Sequence, residues 1–298
     1  MPNITIKESD LTNPGSLNVT SNVVYVPGLA TKVPKNFNTL EPRLYSDLAI
    51  FQADFGDKVP IVKKDATTKA TETFDTGYIY AVELLRLGMP VLFDCLVNKS
   101  VVVGVTDTGR IDISGVTGKM LTLSQIAGAA TNALSNEALK DKGLYNIKFV
   151  TNGGYVNSNI NAKARALASA RMDCCAILDL LESKTIEDIK SALADTKTLG
   201  NIGLPDPSID ASKYSAAFAP WGTYAPPCIS NYATVSYDSK TGKAEYYSSE
   251  INLPASFGYL LAAANSFKAG AANWSAIAGA TRGNIPYLIS LEEYYTES

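Results

Sequence analysis

The sequence predicts an α/β fold: a mixed, largely parallel sheet flanked by helices, with an inserted small subdomain and an extended N-terminal arm. Three observations predict it. Short β-branched runs alternate with amphipathic stretches of roughly 10 to 15 residues, the pattern of strands joined by helical crossovers. The alternation breaks once, over residues 98–143, and then resumes. The opening residues, 1–21, are polar and rich in Asn, Ser and Thr, ahead of the first apolar run. The expected organisation is therefore an arm at 1–21, a core α/β region at 22–97 and 144–298, and a peripheral inserted subdomain at 98–143.

Taken in order, Ile4-Thr5-Ile6 in the arm has the alternation of a strand and is suited to pairing with a neighbouring chain. Asn22-Val-Val-Tyr-Val-Pro-Gly28 reads as a buried strand closed by a Pro-Gly turn. Leu44, Leu48, Ile50, Phe51 and Phe55 are spaced for a helix over 41–55 with Gly56 as its stop. A second helix is expected over 75–87, closed by Gly88, before the strand Pro90–Val97. Within the insertion, Val101–Val105 reads as a strand and Thr122–Leu139 as a helix. The rhythm resumes with a strand at Tyr145–Thr151, the turn Asn152-Gly153-Gly154, a helix from about Ile160 to Arg171, the strand Cys174–Leu180 and a helix over 185–195. Farther on, Tyr232–Tyr237 and Ala244–Ser248 flank a polar loop and predict a hairpin, and small-residue helices follow from Pro254.

Composition narrows the function classes. The chain has 298 residues, a net charge of -3 and no Lys/Arg block, so no basic surface for nucleic acid is expected. It contains no histidine, which removes the commonest general base, the usual metal ligand and every Ser-His or Cys-His pair. No catalytic residue, cofactor or metal ion is expected. The apolar stretch 253–280 carries Asn265, Lys268 and Asn273, too polar for a membrane span, and reads as buried helix. The start of the chain has no secretory pattern, which points to synthesis in the cytoplasm. The four cysteines, Cys95, Cys174, Cys175 and Cys228, have no metal-knuckle spacing and read as buried thiols.

Three features bear on chemistry. Thr117-Gly118-Lys119 lacks the upstream glycine and the following Ser or Thr of a phosphate loop, because Ile113 and Met120 stand there. Asn152-Gly153-Gly154 follows a strand, as an anion-binding nest would, and offers an alternative function as an α/β hydrolase or phosphoryl-transfer enzyme; a tight strand-to-helix turn explains the same residues. Asp94, Asp173 and Asp179 fall in or beside strands, either as a carboxylate pair or as caps for helices and loops.

Several stretches together resemble the contractile tail sheath proteins of phages and related injection machines. Ala216-Ala-Phe-Ala-Pro220-Trp221, then Leu253-Pro254-Ala-Ser256 opening an alanine-rich helix, then Asn273-Trp274-Ser-Ala-Ile-Ala-Gly279 are similar to that family's "YyPW", "PpSg" and "G-x-W-x-A-P-A-G" segments, in order. Residues 145–155, 171–180 and 77–97 are similar to further sheath segments, so the likeness covers most of 20–285. Ala278 departs from the family's usual proline, and Ser298 comes soon after the point where sheath proteins continue into a segment carrying a C-terminal arm, so the resemblance implies that the chain is truncated or that the segment is missing or supplied separately.

The resemblance implies a structural subunit that assembles with copies of itself in sixfold rings, stacked helically around a tail tube protein, and contracts once when triggered. It further implies baseplate and tail terminator proteins as partners, and location in the virion tail after assembly in the host cytoplasm. Pro220, Trp221, Pro254, Ser256, Trp274 and Gly279 would then belong to the conserved inner part of the subunit, with Trp221 and Trp274 in one core.

Overall fold

Val23–Gly28 forms a strand buried along its whole length, as a β-branched run without polar alternation requires. The computed structural model describes residues 23–34, 42–63, 72–98, 104–105, 111–112, 121–180, 182, 187, 190–191, 213–230, 236–237, 244–245, 249–268 and 284–291. In chain order the described strands are β1 (Val23–Gly28), β2 (Arg43–Tyr45), β3 (Ile61–Lys63), β4 (Glu72–Phe74), β5 (Val91–Cys95), β6 (Val97–Asn98), β7 (Gly104–Val105), β8 (Ile111–Asp112), β9 (Ile147–Thr151), β10 (Cys175–Asp179), β11 (Ser215–Phe218), β12 (Gly222–Tyr224), β13 (Ser236–Tyr237), β14 (Ala244–Glu245), β15 (Ile251–Leu253) and β16 (Leu288–Leu291). The helices are α1 (Leu48–Phe55), α2 (Thr76–Arg86), α3 (Leu123–Ala133), α4 (Ser158–Arg171), the single turn α5 (Pro227–Ser230) and α6 (Ala255–Lys268).

Six strands make the central sheet, side by side as β11, β10, β9, β1, β5 and β2. All neighbours are parallel except the edge strand β2, which runs antiparallel to β5. The fold is thus α/β with a mixed, mostly parallel sheet. From β1 the chain crosses through α2 to β5, then reverses through α3 to β9 and through α4 to β10. Right-handed crossovers in opposite directions place their helices on opposite faces. Accordingly α2 packs on β1 and β5, and α6 joins it over β10 and β11, while α3 and α4 pack together under β1, β9 and β10. The direction changes between β1 and β9, and the carboxyl ends of those two strands are where a doubly wound sheet opens its main crevice.

Local sequence explains where the helices begin. Asp47 caps α1 by accepting from the N–H groups of Ala49 (2.7 Å) and Ile50 (3.0 Å). This cap shortens the helix expected over 41–55: Leu44 lies instead in β2, 50% exposed, and Ile50 is 51% exposed. Only Phe51 and Phe55 of that periodic set reach the interior, where they stack edge-on and tilted with Tyr45, Tyr78 and Phe93. Thr122 and Gln125 form a capping box at α3, and Asn157 caps α4. The helix expected over 122–139 ends at Ala133, and Glu137–Lys140 is a separate 3-10 turn.

The stretch assigned to a peripheral subdomain divides in two. Its described strand β8 pairs with β6 on one side and β7 on the other, in a small separate sheet. From Leu121 onward it belongs to the core, with Ile126, Ala129, Ala130, Leu134 and Leu139 buried among residues of β1 and α4. The reason is topological: α3 is the crossover that carries the chain from β5 to β9. Two small antiparallel arrangements were not anticipated, the ladder of β3 with β4 and the three-stranded sheet β15-β12-β16. The expected hairpin is present as β13 and β14. The arm residues Ile4, Thr5 and Ile6 lie outside the described residues, as do Trp274 and Gly279.

Candidate functional site

The carboxyl edge of the sheet gathers the buried polar side chains. Asp75, the cap of α2, is fully buried and accepts from the N–H groups of Tyr78 (2.8 Å) and Leu29 (3.1 Å) and from the phenol of Tyr155. One carboxylate thereby ties the start of α2, the exit of β1 and the turn after β9. Burial pushes its pKa up to about 6, against the opposing pull of those three donors. The same burial, with Asp75 as neighbour, holds the Tyr155 phenol well above its ordinary value.

The helix and strand meet so closely here because residue 77 is glycine. A Cβ on Gly77 would lie 2.1 Å from the carbonyl oxygen of Pro27. On the other side of β1, Asn152-Gly153-Gly154 turns from β9 toward α4 with both glycines at positive φ, 68° and 77°. The N–H of Gly153 donates to Thr151 Oγ1 (3.2 Å), that of Gly154 to Asn152 Oδ1 (2.9 Å) and that of Tyr155 to the Asn152 carbonyl (3.2 Å). Thr76 Oγ1 in turn donates to the Gly153 carbonyl (2.7 Å). Residues 151–155 are all buried. The turn satisfies its own N–H groups internally and packs against β1 and α2, an arrangement that presents none of the three to an outside anion.

Asp179 ends β10, fully buried. Its carboxylate accepts from Ser256 twice, from the backbone N–H at 2.9 Å and from Oγ at 2.6 Å, and Ser256 Oγ lies 2.9 Å from the Tyr80 hydroxyl. Asp179 thus caps α6 from a different element, completing the helix's amino end across a long gap in sequence. Burial pushes its carboxyl up to about 7, with the hydrogen bonds of Ser256 and Asn152 working the other way. Asn161 of α4 donates to the Asp179 carbonyl (3.1 Å) and accepts from Asn152 (3.0 Å), which connects the Asp179 group to the Asn152 turn.

The other strand aspartates have separate partners. Tyr25 donates to Asp94 (2.8 Å), and Asp173 receives a two-pronged contact from Arg171. Among the described residues, no group of three or more His, Cys, Asp or Glu side chains is placed to hold a metal ion, and no helix is long and apolar enough to cross a membrane. Cys95 and Cys174 are buried, Cys175 and Cys228 half-buried, and burial raises the thiols of Cys174, Cys175 and Cys228 above their ordinary value, Cys174 to about 11.

Of the motif residues from the sequence, the four described ones, Pro220, Trp221, Pro254 and Ser256, lie near this edge. Pro220 and Pro254 are buried, Ser256 holds Asp179, and the half-buried indole of Trp221 donates from Nε1 to the carbonyl of the very next residue, Leu180 (2.9 Å). Sequence reasoning missed Asp75, Tyr80, Tyr155 and Asn161. The available signals were an aspartate directly before a helical run and an excess of tyrosines, which here serve as buried donors. A scan against protein-family models and a search of curated proteins found no match to this chain.

Proposed function

We propose that this chain is a non-catalytic structural subunit of a contractile tail sheath, polymerising with copies of itself in stacked rings around a tail tube and contracting to drive the tube through a host envelope. Its partners would be other copies of itself, the tube protein, and the baseplate and terminator proteins at the two ends, in a virion assembled in the host cytoplasm. No cofactor, nucleic acid or membrane insertion enters this reading.

One observation carries it beyond the sequence likeness. Two of the three motif segments, remote from each other in the chain, fasten to consecutive residues at the end of β10: Ser256 to Asp179 and Trp221 to Leu180. A family signature made of such fold-closing contacts belongs to a protein selected for a rigid body, as a subunit that transmits force must be. At the carboxyl ends of β1 and β9, Asp75 and Tyr155 are buried and hydrogen-bonded to each other.

Negative-stain microscopy of the concentrated protein tests the proposal. Rings, short tubes or helical polymers with sixfold end views are expected. A monodisperse monomer at every concentration and salt condition tried, with the chain folded by circular dichroism, would overturn it.

A further inference from the structure

We propose that Asp179, Ser256 and Tyr80 form a proton-operated latch that sets how tightly the amino end of α6 is held to the carboxyl end of β10. The proposal does not rest on the sheath reading and stands whether or not the chain polymerises.

The geometry comes first. Asp179 and Ser256 have no exposed surface, and Tyr80 is buried with them. Among the described residues, the groups facing the carboxylate are neutral: Ser256 on α6, the phenol of Tyr80 on α2, the phenol of Tyr224 on β12 and the amide of Asn152 after β9, with Asn161 of α4 on the backbone carbonyl. Burial keeps both phenols above their ordinary value and therefore uncharged. Among the described residues no Lys or Arg forms an ion pair with Asp179. An ionised carboxylate there is a buried charge held by dipoles alone, which is costly.

The three oxygens accommodate either protonation state. With Asp179 ionised, Ser256 donates to it and Tyr80 donates to Ser256. With Asp179 carrying a proton taken from solvent, the carboxyl O–H donates to Ser256 Oγ and the serine O–H turns to the Tyr80 oxygen. The N–H of Ser256 donates to Asp179 in both. The latch is therefore closed in either state and differs in strength. Opening the first turn of α6 returns Asp179 to water and to an ordinary carboxylate acidity of 3.8, against about 7 when closed. A group whose folded value is raised contributes stability that is present in acid and lost as pH rises through the folded value. The latch weakens from about pH 4 to about pH 7 and is level above that.

Hydrogen exchange of the full chain between about pH 5 and 8 tests this, read as protection factors for the amides of Phe257 to Leu261 with those of Ile126 to Ala133 in α3 as internal reference. Relative protection of α6 is expected to fall roughly tenfold per pH unit up to about 7 and then level off. Asp179→Asn should abolish that slope, and Ser256→Ala, which removes a donor to the ionised form, should move it to higher pH. Carbon NMR of aspartate-labelled chain should show the Asp179 carboxyl titrating well above the ordinary range; this measurement on the unaltered protein decides the matter if Asp179→Asn fails to fold. An Asp179 carboxyl titrating below about pH 5, or α6 and α3 protection running parallel across the range, would overturn the latch.

Discussion

Arg171 has a fully buried guanidinium with all five of its N–H donors engaged. They reach the carbonyls of Leu139 (2.5 Å), Asp141 (3.4 Å) and Tyr145 (2.7 Å) and both carboxylate oxygens of Asp173. One side chain at the end of α4 thus anchors the 3-10 turn and the lead-in to β9, and its charge is matched by Asp173. Arg171→Ala should destabilise the protein by about 3 to 5 kcal/mol in urea denaturation, since Asp173 and three carbonyls lose their donor. Arg171→Lys, keeping the charge but not the planar fork, should recover less than half of that loss. Trp221 is a milder case. A fully buried tryptophan would make Trp221→Ala cost at least about 3 kcal/mol, but half-burial lowers the expectation to about 2. Trp221→Phe, which leaves the Leu180 carbonyl without the indole donor, should cost about 1 kcal/mol, measured as a shift in the urea midpoint at unchanged slope.

The start of α2 shows how elements are fitted together. Gly77 permits a contact between helix and strand backbones that no side chain allows, and Gly77→Ala should cost at least about 3 kcal/mol or prevent folding, because the obstacle is a carbonyl of β1 rather than a movable side chain. Asp75 beside it makes the junction pH-sensitive. Its folded pKa of about 6 exceeds the ordinary 3.8, so its contribution is present in acid and declines as pH rises through 6. The stability gap between the natural protein and Asp75→Asn should therefore narrow by about 2 kcal/mol between about pH 4.5 and 7.5, and a gap that widened instead would reverse the assignment.

How far such elements can be read from sequence depends on the range of the forces that make them. The strands β1, β5, β9 and β10 are mostly apolar runs with few polar interruptions, such as Lys148 and Asp94, and are legible because most of their residues are buried on both faces. The helix limits were less legible, since Asp47 ends the α1 pattern through a cap and Leu44 satisfies an edge strand as readily as a helix face. The network around Asp75 and Asp179 was hidden for a different reason. Its partners are separated by 80 residues in one pair and 77 in another, a distance no periodicity spans. The Asn152-Gly153-Gly154 turn was visible, whereas the consumption of its N–H groups by its own side chains and carbonyls was not.

At the scale of the molecule, burial separates what can be removed from what cannot. Residues 99–120 lead from β6 to the core crossover, and α3 follows with its apolar face packed on β1 and α4. Replacing 99–120 by a short Gly-Ser linker should leave thermal unfolding cooperative, whereas extending the replacement to 143 should unfold the body. The same logic applies to the arm, residues 1–21, which lies outside the described residues. On the proposed sheath reading, the sequence alternation Ile4-Thr5-Ile6 would suit strand addition to a neighbouring subunit, with Asn13-Pro14-Gly15-Ser16 as linker. A strand lent to a neighbour holds subunits together by main-chain hydrogen bonds while the linkers bend and rigid bodies slide past one another. Deleting residues 1–18 should therefore give a folded, soluble monomer with an unchanged unfolding temperature that forms no tubes under conditions where the full chain does. If the shortened chain assembled as well as the full one, the arm would not be the link, and the free edges of the sheets would have to supply it.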